Sequence, residues 1–233
     1  HVIHNGEAIG TGTNISAAAI QSQIDVLNED FRKLIGTPGY NTHPYGADTK
    51  IEFCLAKRRP NGTAFPAGED GINRVNLCQA SWDTNQINSI VKPATSWNPD
   101  DYMNMWSVNF TDAGLLGYAQ FPSASTLAGM PADGGAANTD GVVAGYRFFG
   151  SSALAPGSYS PPFDRGRTMT HEVGHYLGLR HIWGDTDCSG DDFVNDTPLQ
   201  GSDSPISGNC NFNLNCLTFW LNIFRLLQYS SLQ

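Results

Sequence analysis

Apolar residues recur at helical spacing early in the chain, at Ile20, Ile24, Leu27, Phe31 and Leu34, and line one face. Asn14 or Ser16 can cap this helix, and Gly36 and Pro38 end it. It reads as a helix backing the core. The period drops to two over Lys50–Ala56, where Ile51, Phe53 and Leu55 alternate with their neighbours, and this predicts a strand. Further strands are predicted at His1–Ile3, Tyr102–Val108, Leu115–Phe121 and Val142–Phe149, with a short helix at Gln86–Val91 stopped by Pro93. A second long helix is predicted from Arg165 to Leu177. Strands interleaved with helices imply an α+β fold, a mixed sheet with helices packed on it.

The second long helix carries His171-Glu172-Val173-Gly174-His175, with Gly178 and His181 beyond it. Positions i and i+4 share a helix face, so His171 and His175 can aim two imidazoles at one point. Gly178 suits the helix C-terminus and would let the chain bring His181 back as a third ligand. Zinc accepts imidazole nitrogens, and hydrolytic sites use three protein ligands with a fourth position open to water. Glu172, beside the first ligand, can take the proton from that water. A lone histidine is ordinarily packed or solvated, and H-E-x-x-H is short enough to arise by chance. The full H-E-x-x-H-x-x-G-x-x-H pattern is far more specific.

The 233 residues suffice for one domain with a substantial core. Hydrophobic residues make up 40% and charged residues 15%, a globular composition, while 25 glycines and 13 prolines supply many loops. The net charge of −9 argues against nucleic acid as a partner, and Lys57-Arg58-Arg59 reads as a solvated turn. The five scattered cysteines include no C-x-x-C pair, which fits disulfides, an oxidising compartment and a secreted protein. Their odd number leaves one unpaired. The chain starts at His1 without a signal peptide and reads as a processed or trimmed piece of a longer protein. Leu217–Leu227 is apolar but falls short of the roughly 20 residues of a membrane span. The aspartates crowded between Asp185 and Asp203 could gather calcium. Nothing sets an oligomeric state.

The extended histidine motif resembles that of the metzincin clan of zinc endopeptidases. Trp183-Gly184-Asp185, the run Asp191–Pro198 and the stretch Ile20–Phe31 are similar to the pappalysin family, its ulilysin-like and cytophagalysin-like members in particular. The resemblance covers roughly the first 200 residues. It implies a metzincin-like fold, a twisted sheet with an antiparallel edge strand, an N-terminal lobe over 1–178 and a C-terminal lobe over 179–233. It implies a zinc endopeptidase acting through zinc-bound water activated by Glu172, with His171, His175 and His181 as ligands. The edge strand, containing Leu115, Leu116, Gly117, Tyr118 and Ala119, would pair with an extended peptide.

The resemblance further implies calcium near the acidic segment, with Asp191, Val194, Asp196 and Thr197 as expected ligands. It also implies a Cys188–Cys216 disulfide; Cys54 and Cys78 could bridge each other. The family's methionine-containing turn is expected after Cys210, but no methionine follows Met169, and residues 209–233 resemble nothing in the family. The expectation is therefore an incomplete lower lobe and weak or no peptidase activity in this chain. The alternative to an active enzyme is a zinc-binding remnant that binds peptides without turnover.

Overall fold

The computed structural model describes residues 1–43, 46–123, 125–126, 134–185 and 189–195. Its sheet has five short strands: β1 (Val2–His4), β2 (Arg74–Asn76), β3 (Met105–Val108), β4 (Gly117–Ala119) and β5 (Val142–Gly145). Their order is β2-β1-β3-β5-β4. The first four pair in parallel, and β4 runs antiparallel to β5 at one edge. A largely parallel sheet has to be covered on both faces. Helices α1 (Ala17–Phe31) and α4 (Arg167–Tyr176) cover one face, packing Leu27, Met169 and Val173 against Val2, Val142 and Ala144. The other face holds Ile3, Trp106, Val108 and Val143 under Ile87 and Val91. Those two come from a helical run made of α2 (Thr84–Gln86), a π-helical turn (Ile87–Val91) and α3 (Lys92–Thr95). The strict alternation of Val142, Val143 and Ala144 between the two cores follows from the two-residue period of a strand.

Ser16 caps α1, its side chain accepting from the Ala19 N–H. Ile20, Ile24, Leu27 and Phe31 are buried as their spacing requires. The helix stops at Phe31, and Lys33 takes a φ of +49°. Leu34 thus leaves the apolar face and is 40% exposed, contrary to its place in the helical pattern. The buried side of α1 is also more polar than a backing helix needs. Ser22 Oγ accepts from the Ser151 N–H, and Gln23 Oε1 accepts from the Gly150 N–H. Gln23 Nε2 donates to the Gly166 carbonyl at the start of α4. Asp30 pairs with Arg167 at 2.9 Å and accepts from Thr170 Oγ1 at 2.8 Å. Helix α1 therefore fixes α4 through hydrogen bonds as well as through apolar contact.

Several predicted elements differ. Lys50–Ala56 forms no strand. Asn28 takes over the ladder's role there: its side chain donates to the Phe53 carbonyl and accepts from the Phe53 N–H, so helix α1 satisfies the backbone locally. The strand next to β1 is β2, too short to leave a period in the sequence. Pro93 does not stop its helix. The N–H of Lys92 reaches back five residues to Ile87, and this wider turn lets the chain continue through the proline into α3. The strands predicted at 102–108, 115–121 and 142–149 shorten to β3, β4 and β5. Cys54 and Cys78 are exposed and unbonded, on loops separately anchored, the first beside the Asn28–Phe53 pair and the second by an N–H bond to Asn76 Oδ1. The suggested bridge between them is therefore not made. Among the described residues no helix is long and apolar enough to cross a membrane.

The Asp30–Arg167 pair is nearly sealed from water, with side chains 3% and 6% exposed. Removing one partner of such a pair leaves an uncompensated buried charge and costs about 3–5 kcal/mol. Asp30→Ala should lose stability on that scale in urea denaturation; a loss below about 1 kcal/mol would contradict the pairing. Burial pushes the Asp30 carboxyl up to about 6, with the Arg167 guanidinium opposing the rise. From about pH 4 to 6 the folded state then holds the extra proton, and the contribution of Asp30 to stability falls as pH rises through that window. Asp30→Asn should remove that slope.

Candidate active site

The chain ends α4 with a reciprocal pair of backbone bonds. The Gly178 N–H donates to the His175 carbonyl and the Leu179 N–H to the Gly174 carbonyl. Gly178 sits at φ +98°, which a Cβ would strain, so glycine is required for the reversal. The turn also delivers the Leu179 carbonyl to the His175 ring, whose Nδ1–H donates to it at 2.7 Å. With its proton on Nδ1, His175 presents a lone pair at Nε2. Burial holds this imidazole below its ordinary pKa, the Leu179 bond opposing.

Past the turn, His181 comes back to the same point. Its Nε2 lies 3.2 Å from His175 Nε2 and 3.3 Å from His171 Nε2, and the other two stand 2.9 Å apart. Its Nδ1 is 2.5 Å from Asp185 Oδ1, and its ring stacks on Trp183 at 4.4 Å with planes 8° apart. The sequence pattern of ligands missed these supports, although a carboxylate four residues after His181 was a visible signal.

Three imidazole nitrogens so close repel unless a cation or proton lies among them. Ligand nitrogens about 2.0–2.1 Å from a tetrahedral zinc stand about 3.3 Å from one another. The two spacings to His181, 3.2 and 3.3 Å, match that ion, and the 2.9 Å between His171 and His175 is shorter. Among the described residues, this triad alone gathers as possible metal ligands. Neutral His175, held through its other nitrogen, is the form that metal binding needs.

Glu172 faces the neighbouring strand and is 7% exposed. Burial pushes its carboxyl up to about 8; a divalent cation nearby would draw it back down. Strand β4 lies directly over it. A Cβ on Gly117 would stand 3.0 Å from Glu172 Cγ and 2.8 Å from the Val143 carbonyl oxygen, so only glycine lets strand and helix approach this closely. Tyr118 points to the opposite face and Ala119 returns to the α4 side. Leu116 accepts from the Gly145 N–H, while Leu115 lies in the turn before the strand. The outer edge of β4 has no neighbouring strand among the described residues.

The acidic segment is only partly described. Asp191 Oδ1 accepts from the Phe193 N–H, and Asp192 Oδ1 from the Val194 N–H. These are local turns, and among the described residues Asp191 belongs to no group of three or more histidine, cysteine or acidic side chains gathered to hold an ion. Asp196, Thr197, Cys188 and Cys216 lie outside the described residues.

A helix with two histidines one turn apart, a third beyond a glycine turn and an antiparallel strand above them define a metallopeptidase domain of the metzincin kind. The chain belongs to peptidase family M43, the pappalysins: the family's profile, described as pregnancy-associated plasma protein-A, matches residues 85–233. That match runs through residues 209–233, read from the sequence as unlike the family. An extracellular metalloprotease of Arthroderma gypseum is 29% identical over 207 residues, 88% of this chain and 55% of its own length. One of Pyricularia oryzae is 27% identical over 205 residues, 88% of this chain and 56% of its own. The chain thus spans about half the length of these curated relatives. Mature mirolysin of Tannerella forsythia, solved with a cleaved peptide, is 41% identical with a TM-score of 0.69, covering 86% of this chain and 70% of that one.

Metal titration against a chromophoric chelator tests the triad. His175→Ala should no longer hold stoichiometric zinc, and retention of zinc would remove it from the ligand set. Asp185→Asn should weaken zinc by about 10–100-fold, the usual effect of losing a partner that orients a ligand.

Proposed function

We propose that this chain is the catalytic region of a secreted zinc endopeptidase acting on proteins and peptides. The convergence of three Nε2 atoms within 3.3 Å, with Glu172 beside the first of those histidines, carries this reading. His171, His175 and His181 would hold one zinc ion. When bound, zinc supplies Lewis acidity toward the scissile carbonyl and lowers the pKa of water at the site. Glu172 takes the proton from the attacking water and passes it to the departing amine. Its burial beneath β4 keeps bulk water from competing for that proton. The free edge of β4 pairs with the substrate backbone and lays the peptide across the zinc site. Residues 1–178 form the upper lobe in this reading and 179–233 the lower. Secretion is supported by relatives named extracellular metalloproteases.

A second reading is zinc and peptide binding without turnover. One experiment separates the two. Wild type should cleave casein in a manner abolished by a zinc chelator and restored by zinc. Glu172→Gln should keep its zinc while hydrolysis falls by at least about 10²–10⁴, the usual contribution of a general base. Zinc-loaded wild type that binds peptide and cleaves nothing would select the second reading; near-normal turnover by Glu172→Gln would contradict the role of the carboxylate.

A further inference from the structure

Strand β4 is three residues long and, among the described residues, is bonded to the sheet on one side only. Its α4 side offers only Gly117, which has no side chain, and the small Ala119. Its one large side chain, Tyr118, faces the other core. The group found there is a lysine. Lys92 is 1% exposed, although lysine is almost never fully buried without a partner. Its Nζ lies 4.6 Å from the centroid of the Tyr118 ring and 5.3 Å from that of Trp106, and it donates to the Thr139 carbonyl at 3.2 Å. Both rings are within cation–π range.

Burial draws the Lys92 ammonium down to about 8, with Asp140 opposing, so a cation still meets the rings at neutral pH. The Tyr118 hydroxyl in turn donates to Asn88 Oδ1 at 2.9 Å. Asn88 belongs to the π-helical turn and Lys92 follows it directly, so one irregular stretch of helix reaches Tyr118 twice. Irregular turns of this type recur at functional sites. An apolar residue would fill the place of Lys92 at least as well if packing were all that mattered, since replacing buried charge by hydrophobic residues is often neutral or stabilising.

We propose that Lys92 is a positioning residue for peptide binding: its buried ammonium, held between the faces of Tyr118 and Trp106, fixes β4 over α4 so that the strand's free edge is set to pair with substrate. The proposal rests on the endopeptidase reading. Lys92 touches neither substrate nor metal and acts only through Tyr118.

The test uses the full zinc-loaded chain, with a quenched fluorescent peptide for kinetics and hydrogen exchange of the amides from Leu116 to Gln120 as a readout free of catalysis. Lys92→Met should raise KM about tenfold, the effect of losing a buried cation–π contact of about 1.4 kcal/mol. Its kcat and zinc content should stay near wild type, exchange in β4 should quicken, and thermal stability should hold. Ile87→Val, in the same helical run and core, should lower stability without moving KM. Tyr118→Leu should raise KM as Lys92→Met does, and the double variant should be no worse than either alone. If Lys92→Met does not fold, Tyr118→Leu with its exchange readout decides. A wild-type KM and exchange rate in these variants, or a fall in kcat with loss of zinc, would overturn the proposal while leaving the endopeptidase reading intact. Zinc-loaded wild type that cleaves nothing would overturn that reading and this proposal together.

Discussion

The reversal at Gly178 governs the site. Two backbone bonds end α4, and the same turn hands the Leu179 carbonyl to His175 and brings His181 under the helix. Three imidazole lone pairs then face one another at 2.9–3.3 Å. That arrangement is unfavourable alone and becomes favourable with a cation, which couples the local fold to metal binding.

Such a turn works only if α4 is itself fixed. Its first residues are tied to α1 by Gln23, Asp30 and Thr170, in a region closed to water. Above it, Gly117 lets β4 settle to contact distance with Glu172. On the far side of the sheet Lys92 and Asn88 grip the next residue of that strand. The helix and the edge strand are thus placed against each other from two cores.

Much of this was readable from residue order. A 15-residue helix leaves several turns of apolar period, and Ile20 through Phe31 marked α1 correctly. The metal-binding pattern is local in sequence, so spacing alone brought the three histidines together. What escaped was set by distant partners. Lys50–Ala56 alternates like a strand, yet Asn28 satisfies its backbone. Three-residue strands such as β2 are too short to show a period. Asp30 and Lys92 look solvated in sequence, because only the fold shows Arg167 beside one and two aromatic faces beside the other.

Zinc K-edge X-ray absorption of the zinc-loaded protein tests the centre most directly. Three imidazole nitrogens and one oxygen at about 2.0–2.1 Å, without sulfur, would match the geometry of His171, His175 and His181. A sulfur shell near 2.3 Å, or fewer than three imidazoles, would contradict it.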